Sequence, residues 1–408
     1  MKRISIIVIL ANLVFSTIMY SQVESVDKCG YIYGDQPYHF LVRTANWGYG
    51  YDSLLVDLVR WGASPFVTVD SLGASIQDRA LWELTIADNP QSSSNHRIYI
   101  HARTHPGEEE SFWVTNEIIN FLISDRPLAA FIRSNCIFHI IPMYNPDGVE
   151  LGYSRENANG VDIESGWDDV PLELEVAVLR NRFIELTSLV NNPIKMALNM
   201  HSSYSCKRYF VYHDAAGTSE DYTILEQQFI NGVQSYFPEG FEDWDYFVSW
   251  TSGTPDQYPE SWWWMNHGEN VMALTYEDMN CAAAGNYDST AYALVLGICE
   301  YLGLDLSQIQ NEAAMPNSYS LLQNYPNPFN PVTTVRYDIP ENSHVNITIY
   351  DMLGRAVKTM VNQHQNAGHR SIIWDGTNDY GNTVSTGIYL YQIQSGAYTR
   401  TKKMVFLK

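Results

Sequence analysis

The chain has 408 residues, a length that predicts two or three domains, and its 45% hydrophobic content is enough for a globular core. With 24 basic and 46 acidic residues, the formal net charge is −22, which excludes nucleic acid as an expected partner. The charge is uneven, because residues 323–408 carry 8 basic and 5 acidic residues and the preceding part carries 16 and 41. This difference suggests two modules.

The amino terminus has the pattern of a secretory signal peptide. Lys2 and Arg3 give a positive start, residues 4–19 are mostly apolar, and Ser21 and Gln22 form a small, polar end. The apolar run is short for a membrane span, and no second run follows it. We therefore expect removal of residues 1–22 and export of a protein without a transmembrane segment, either secreted or held at the cell surface.

Strand and helix patterns alternate through the next part of the chain. A helix is predicted from Asp52 to Trp61, ended by Gly62. Strand patterns follow at residues 66–70, 80–86, 97–100, 136–143, 194–200 and 271–276. Further helical patterns lie at residues 112–133 and 171–190. This alternation predicts an α/β fold with a mixed, mostly parallel sheet and helices on both faces. We assign residues 23–307 to this catalytic domain.

A strand, a Pro-Gly turn and a helix surround the first candidate metal ligands. His105 and Glu108 stand one helical turn apart, and imidazole nitrogen and carboxylate oxygen both suit zinc. The zinc helix motif H-E-x-x-H is absent, because Ala102 follows His101. The alternative is a loop histidine beside a solvated acidic run at a helix start.

Polar residues at the ends of later strands complete a catalytic set. His201 ends an apolar strand, where a side chain points into the ligand-binding crevice of an α/β sheet. Glu277 ends another apolar run, and a carboxylate there suits the general base that activates a zinc-bound water. Arg155 follows an Asn-Pro-Asp-Gly turn and is a candidate for stabilising an oxyanion.

These residues, taken together, resemble the zinc metallocarboxypeptidases related to carboxypeptidase A, over about residues 40–303. The His-Pro-Gly-Glu form of the first motif looks most like the cytosolic carboxypeptidase branch. The matching motifs are His105 with Glu108, Asn145 to Gly148 with Arg155, His201 with Ser202, and Thr275 to Glu277. The resemblance implies one zinc per chain held by His105, Glu108 and His201, with Glu277 and Arg155 as catalytic residues.

The sequence departs from this family where a substrate's terminal carboxylate is anchored. The family's Asn-Arg pair is replaced by Glu164 and Ser165. A carboxylate repels that ligand, so we expect Glu164 to bind a cationic group of the substrate in the pocket; the alternative is that it turns outward to the acidic surface. Tyr258 is the candidate for the family's mobile, substrate-binding tyrosine, and a purely structural tyrosine is the alternative.

A weakly patterned linker, residues 308–320, precedes a tail with period-two strands. Five or more short strands separated by Gly, Pro and Asn turns predict an all-β, immunoglobulin-like sandwich over residues 321–408. This tail resembles the C-terminal sorting domain of the type IX secretion system, through Gln323 to Pro331, Tyr350 to Arg355 and the final Lys-Lys-Met-Val-Phe-Leu-Lys. The resemblance implies the type IX machinery as a partner; the alternative is a substrate-binding accessory module.

Five cysteines are too few for a disulfide scaffold, although an oxidising compartment allows one or two bridges, whose pairing the sequence leaves open. Cys281–Cys299 closes the shortest loop, and Cys136 fits a buried free thiol. The sequence thus predicts a secreted zinc metallopeptidase that acts on a peptide or amide substrate. The alternatives are a catalytically idle binding protein on the same scaffold and an amidase or deacylase.

Overall fold

A computed structural model describes residues 48–189, 193–281, 283–306, 318–324, 327–365 and 367–407. The signal peptide predicted for residues 1–22 and most of the linker predicted for residues 308–320 lie outside this part of the chain. The domain boundaries therefore stay a prediction. Within the described residues, no helix combines the length and the apolar character needed to cross a bilayer.

The first part of the chain folds around one eight-stranded sheet. Its helices are α1 Tyr51–Gly62, α2 Glu109–Leu122, α3 Pro127–Asn135, α4 Pro146–Leu151, α5 Leu174–Thr187, α6 Glu220–Tyr236, α7 Pro259–His267 and α8 Tyr287–Tyr301. Its strands are β1 Val67–Ala74, β2 Ala80–Ile86, β3 His96–Ala102, β4 Cys136–Ile141, β5 Ile194–Ser203, β6 Tyr209–His213, β7 Val248–Ser249 and β8 Met272–Met279.

The sheet order is β1-β2-β4-β3-β5-β8-β6-β7. The central strands β4, β3, β5 and β8 run parallel, and antiparallel pairs join β1, β2 and β6 to them. Every residue of β4 is buried, which is typical of a central strand covered on both faces. The predicted mixed, mostly parallel sheet is confirmed.

Helices cover both faces of this sheet. One apolar cluster packs α1, α2, α3, α6 and α8 against the face that carries Ile100 and Leu198. A second cluster packs α5 and α7 against the face that carries Ala197 and Ala273. Successive residues of a strand therefore enter opposite clusters, as the pleat requires.

The helix predicted over residues 112–133 is two helices in the structure. α2 ends at Leu122, and α3 begins at Pro127 with Arg126 in the extended region. Proline disfavours the helical conformation for the residue before it and fits the first position of a new helix. The single-helix prediction was wrong because the apolar pattern continues across this break.

The disulfide in the structure is not the Cys281–Cys299 pair that would close the shortest loop. Cys206 bonds to Cys281, with their Cα atoms 5.5 Å apart, while Cys299 and Cys136 are buried free thiols. Cys206 lies beyond the end of β5 and Cys281 beyond the end of β8, and these strands are neighbours in the sheet. Sheet pairing, which loop length does not reveal, therefore selects the partner. The buried free thiol predicted at Cys136 is confirmed.

The tail forms two antiparallel sheets, one of β13-β10-β9 and one of β12-β11-β14-β15. The strands are β9 Ser320–Leu321, β10 Thr333–Ile339, β11 Ser343–Asp351, β12 Ala356–Gln365, β13 Gly368–Trp374, β14 Gly387–Ser395 and β15 Tyr398–Phe406. Their apolar side chains share one core around Val335, Ile347, Trp374 and Tyr391. The all-β sandwich is confirmed, and it contains an edge strand, β12, that the period-two pattern did not indicate.

Candidate active site

Three parallel strands bring the predicted site residues to one edge of the sheet. β3, β5 and β8 are neighbours, so their carboxyl ends meet. His201 and Glu277 are register partners at the ends of β5 and β8. His105 and Glu108 lie in the turn between β3 and α2. Open α/β sheets bind their ligands at this edge.

His105, Glu108 and His201 form a compact donor set. His105 Nδ1 lies 2.8 Å from Glu108 Oε1 and 3.0 Å from His201 Nδ1, and His201 Nδ1 lies 2.8 Å from Glu108 Oε2. None of the three is more than 6% exposed. Two ring nitrogens and a carboxylate, with ligand atoms within 4.8 Å of one another, fit a zinc ion.

The protein holds the Glu108 carboxylate in its charged form. Burial raises the pKa of Glu108, but the imidazoles of His105 and His201 outweigh burial and lower the pKa well below its usual range. The backbone N–H of Ser202 also donates to Glu108 Oε2 at 3.1 Å. A carboxylate ligates a metal in its ionised form and an imidazole in its neutral form, so a zinc ion would replace the imidazole protons that balance the Glu108 charge.

Each of the two histidines also faces a carboxylate with its other ring nitrogen. His105 Nε2 lies 3.1 Å from Asp162 Oδ1 in a hydrogen bond, and His201 Nε2 lies 3.3 Å from Glu164 Oε2 at ion-pair distance without a hydrogen bond among the described residues. A hydrogen-bonded carboxylate fixes the tautomer and the orientation of a metal-binding imidazole, as Asp162 does for His105, and the Glu164 carboxylate favours the same orientation of His201 by its charge. This arrangement leaves Nδ1 of both rings as the ligand atom, which is the atom that faces the donor set.

Glu164 is buried beside His201. It is 8% exposed, and both its carboxylate oxygens accept hydrogen bonds from Asn199 Nδ2, at 3.0 and 3.2 Å. The alternative that Glu164 turns outward to the acidic surface is therefore wrong. Its predicted binding of a substrate group stays a prediction.

Glu277 lies in the next strand, beside His201. Burial raises the pKa of Glu277 to about 8, and the nearby Glu108 carboxylate adds to this increase. Its Oε2 is buried and has no hydrogen-bond partner among the described residues. A carboxylate with an unpaired oxygen beside a metal donor set has the chemistry of a general base. A bound cation favours the ionised form that this role needs.

Arg155 and Tyr258 lie further out. The Arg155 side chain is 48% exposed, its Nε donates to Asp162 Oδ2 at 3.0 Å, and its Nη1 lies 3.7 Å from Glu108 Oε1. This position at the rim of the donor set is compatible with the predicted contact to an oxyanion. Tyr258 is half-buried and directly precedes α7. Its function as a mobile tyrosine stays a prediction.

The sequence profile of the zinc carboxypeptidase family matches residues 56–293, which is more than half of the 408 residues. The chain belongs to the zinc carboxypeptidase family. It is therefore a metallocarboxypeptidase-like hydrolase, and the family implies zinc as its metal.

Curated proteins match part of the chain. Cytosolic carboxypeptidase 6 of Mus musculus is 33% identical over 187 residues, 43% of this chain and 33% of that protein. Cytosolic carboxypeptidase 6 of Caenorhabditis elegans is 32% identical over 195 residues, 42% of each chain. The matched part thus spans one third to about two fifths of the length of these curated relatives.

Solved structures support the fold alone. A metallo-carboxypeptidase from Burkholderia cenocepacia superposes with a TM-score of 0.53 at 19% identity, over 62% of this chain and 70% of that chain. A putative carboxypeptidase A from Shewanella denitrificans gives a TM-score of 0.53 at 20% identity, over 62% and 69%. In the tail, the profile of the FlgD Ig-like domain matches residues 331–398, consistent with an immunoglobulin-like sandwich.

Two carboxylates near the donor set, one half-buried and one buried, were not predicted from the sequence as site residues. Asp162 faces His105, and the sequence signal for it was its place beside Glu164 in the altered anchor segment. Glu260 lies in the first turn of α7, is 4% exposed, and accepts a hydrogen bond from Thr275 Oγ1 at 2.8 Å. An acidic residue at a helix start is common on sequence grounds alone, so no local signal identified Glu260.

Proposed function

We propose that this zinc carboxypeptidase hydrolyses peptide or amide bonds, with one zinc ion held by His105, Glu108 and His201. The observation that carries the proposal is the donor set itself, in which both histidines turn Nδ1 inward and face a carboxylate with Nε2. Such supporting carboxylates are typical of metal-binding histidines. Three protein ligands also leave a coordination position for water or substrate, as catalytic zinc sites do.

The residues around the donor set suit hydrolysis. Zinc would supply Lewis acidity there, activating a water molecule and polarising the scissile carbonyl. Glu277 takes the proton from the attacking water through Oε2 and passes it to the leaving nitrogen. Arg155 donates to the developing oxyanion from the rim. Asp162 accepts from Arg155 and faces His105, so it positions both.

The test is hydrolysis of a broad peptide and amide library by the zinc-loaded full chain, with products identified by intact mass. We expect cleavage that Glu277→Gln abolishes while the zinc content stays at one per chain. Glu300→Gln is the control, because Glu300 is an exposed glutamate of α8. Substrate binding without turnover would instead indicate an idle binding protein on this scaffold.

A second candidate is an amidase or deacylase that does not need a free terminal carboxylate. The supporting observation is that Glu164 stands in the place of the expected anchor and is engaged by Asn199 and His201. The same library separates the candidates if it includes matched peptides with a free or an amidated carboxyl terminus. Such peptides differ only in the terminal carboxylate that a carboxypeptidase anchors. Preference for the free acid supports a carboxypeptidase, and equal or faster cleavage of the amide supports the amidase.

The proposal also includes export through the type IX secretion machinery, to the cell surface or the medium. Its support is the signal-like pattern of residues 1–22, the immunoglobulin-like tail and the Cys206–Cys281 bond, which suits an oxidising compartment. We expect deletion of residues 321–408 to stop release from the cell while zinc binding is kept. Continued secretion of the truncated chain would contradict the sorting function of the tail.

A further inference from the structure

A second pair of polar side chains lies on the same face of the sheet as His201 and Glu277, further from the edge that carries the donor set. Asn199 and Thr275 are register partners on β5 and β8, two residues before His201 and Glu277. Residues two apart on a strand share a face, so both pairs lie on the face covered by α5 and α7. Two residues of strand place the Asn199–Thr275 pair about 7 Å behind the His201–Glu277 pair.

Each side chain of this second pair holds a buried glutamate. Asn199 Nδ2 donates to Glu164 at 3.0 and 3.2 Å, and Thr275 Oγ1 donates to Glu260 at 2.8 Å. The two carboxylates come from separate segments of the chain and accept hydrogen bonds from register partners on adjacent strands. Burial raises the pKa of Glu260, and the charge of Glu164 adds to this increase. Within the described residues, neither carboxylate forms an ion pair with a lysine or an arginine, and the only ion-pair distance that either makes there joins Glu164 Oε2 to His201 Nε2 at 3.3 Å.

Unpartnered polar groups lie next to these carboxylates. His101 is the register partner of Asn199 on β3 and therefore points to the same face. It is 2% exposed, and neither ring nitrogen has a hydrogen-bond partner among the described residues. Tyr144 packs edge-on against His101 with ring centroids 5.5 Å apart, and its buried hydroxyl is also unpartnered. Buried polar groups are normally paired, so this cluster indicates a place for a polar ligand.

We propose that Glu164 and Glu260 form an acidic subsite that binds an ammonium or guanidinium group of the substrate. A cation between two buried carboxylates offsets their mutual repulsion and the cost of their burial. The position of this second pair, about 7 Å from the His201–Glu277 pair, suits a charge on a substrate side chain rather than at the scissile bond. The inference rests on the proposed function and names its substrate class: peptides or amides with a cationic side chain beside the scissile bond.

Amine binding tests the subsite without turnover. Pentylamine and the neutral pentanol are titrated by calorimetry into the zinc-loaded full chain and into Glu260→Gln. We expect pentylamine to bind more tightly than pentanol. Glu260→Gln should lower the affinity for pentylamine about tenfold or more, because one charged hydrogen-bond partner is lost. Asp256→Asn is the matched control, because it removes a charge from an exposed residue of the same segment. Glu260→Asp keeps the charge and should retain part of the affinity if Glu260→Gln folds poorly.

Turnover then tests selectivity with peptides that differ only by lysine or norleucine on either side of the scissile bond. We expect lysine to be preferred at one of these positions through a lower KM, and Glu260→Gln to remove the preference.

Equal binding of pentylamine and pentanol, or equal effects of Glu260→Gln and Asp256→Asn, would overturn the subsite. A Glu164→Gln variant that loses zinc but keeps amine binding would overturn the assignment of Glu164. Failure to cleave any peptide would contradict the proposed function, whereas amine binding would still decide the subsite.

Discussion

Asp162→Asn is expected to weaken zinc binding without unfolding the protein. Asp162 Oδ1 lies 3.1 Å from His105 Nε2 and accepts from the Glu164 backbone N–H at 3.0 Å, while Oδ2 accepts from Arg155 Nε at 3.0 Å. Asparagine keeps the shape and one acceptor but loses the charge that orients the imidazole. Loss of such a supporting carboxylate lowers metal affinity by about 10- to 100-fold, or roughly 1.4–3 kcal/mol. Because the Asp162 side chain is 28% exposed, solvent screens part of the effect, and we expect about tenfold.

The assay is competition for zinc with a calibrated chelator, together with denaturant unfolding of the metal-free protein. Asp168→Asn is the control, because Asp168 is an exposed carboxylate six residues later in the same segment. We expect wild-type zinc affinity in this control and a weaker affinity in Asp162→Asn, with similar unfolding midpoints. A zinc affinity of Asp162→Asn equal to that of the control would refute the orientation of His105 by Asp162.

Two further predictions concern stability. Burial raises the pKa of Glu83, but hydrogen bonds from His139 and Arg182 outweigh it and lower the pKa to about 2. The ionised Glu83 therefore stabilises the fold fully above the ordinary pKa of 4.5, and this stabilisation is lost as the pH falls through about 2. Glu83→Gln should remove this pH dependence of the free energy of unfolding, which amounts to about 3 kcal/mol at most. Reduction of Cys206–Cys281, which are 75 residues apart, should lower the free energy of unfolding by about 4 kcal/mol, as Cys206→Ser with Cys281→Ser should.

Urea unfolding at several pH values measures the first of these effects. Glu185→Gln is its control, because Glu185 also pairs with Arg182 but its side chain is 67% exposed. An equal change in both variants would contradict a special contribution of the buried carboxylate. For the disulfide, thermal unfolding with and without reductant is the measurement, and an unchanged midpoint would contradict the expected contribution.

The parts of the site that the sequence predicts are those set by local patterns. His105 and Glu108 are one turn apart at a strand-to-helix junction, and His201 and Glu277 each end an apolar strand. Because parallel strands end at the same edge, a pattern of strands alone places these four residues near one another. The alternation of strands and helices likewise predicts the sheet and its two covered faces.

The parts that the sequence does not predict depend on which elements pack together. Glu260 reaches the site only because α7 packs on the face of the sheet that carries Thr275. Glu164, in the loop between α4 and α5, is buried where its carboxylate accepts from Asn199 of β5. The partner of Cys281 is likewise set by the pairing of β5 with β8. Such contacts between distant segments leave no periodic signal in the chain.

The most direct test is the zinc content and affinity of the purified full chain, measured by elemental analysis and chelator competition. The structure predicts one zinc per chain, lost or greatly weakened in His105→Ala, Glu108→Gln and His201→Ala, because each removes one of three ligands. His96→Ala is the control, because His96 begins β3 at the opposite end from the donor set and is not fully buried. Zinc bound with equal affinity by all of these variants, or no zinc taken up by the wild-type chain, would contradict the assignment of the metal site.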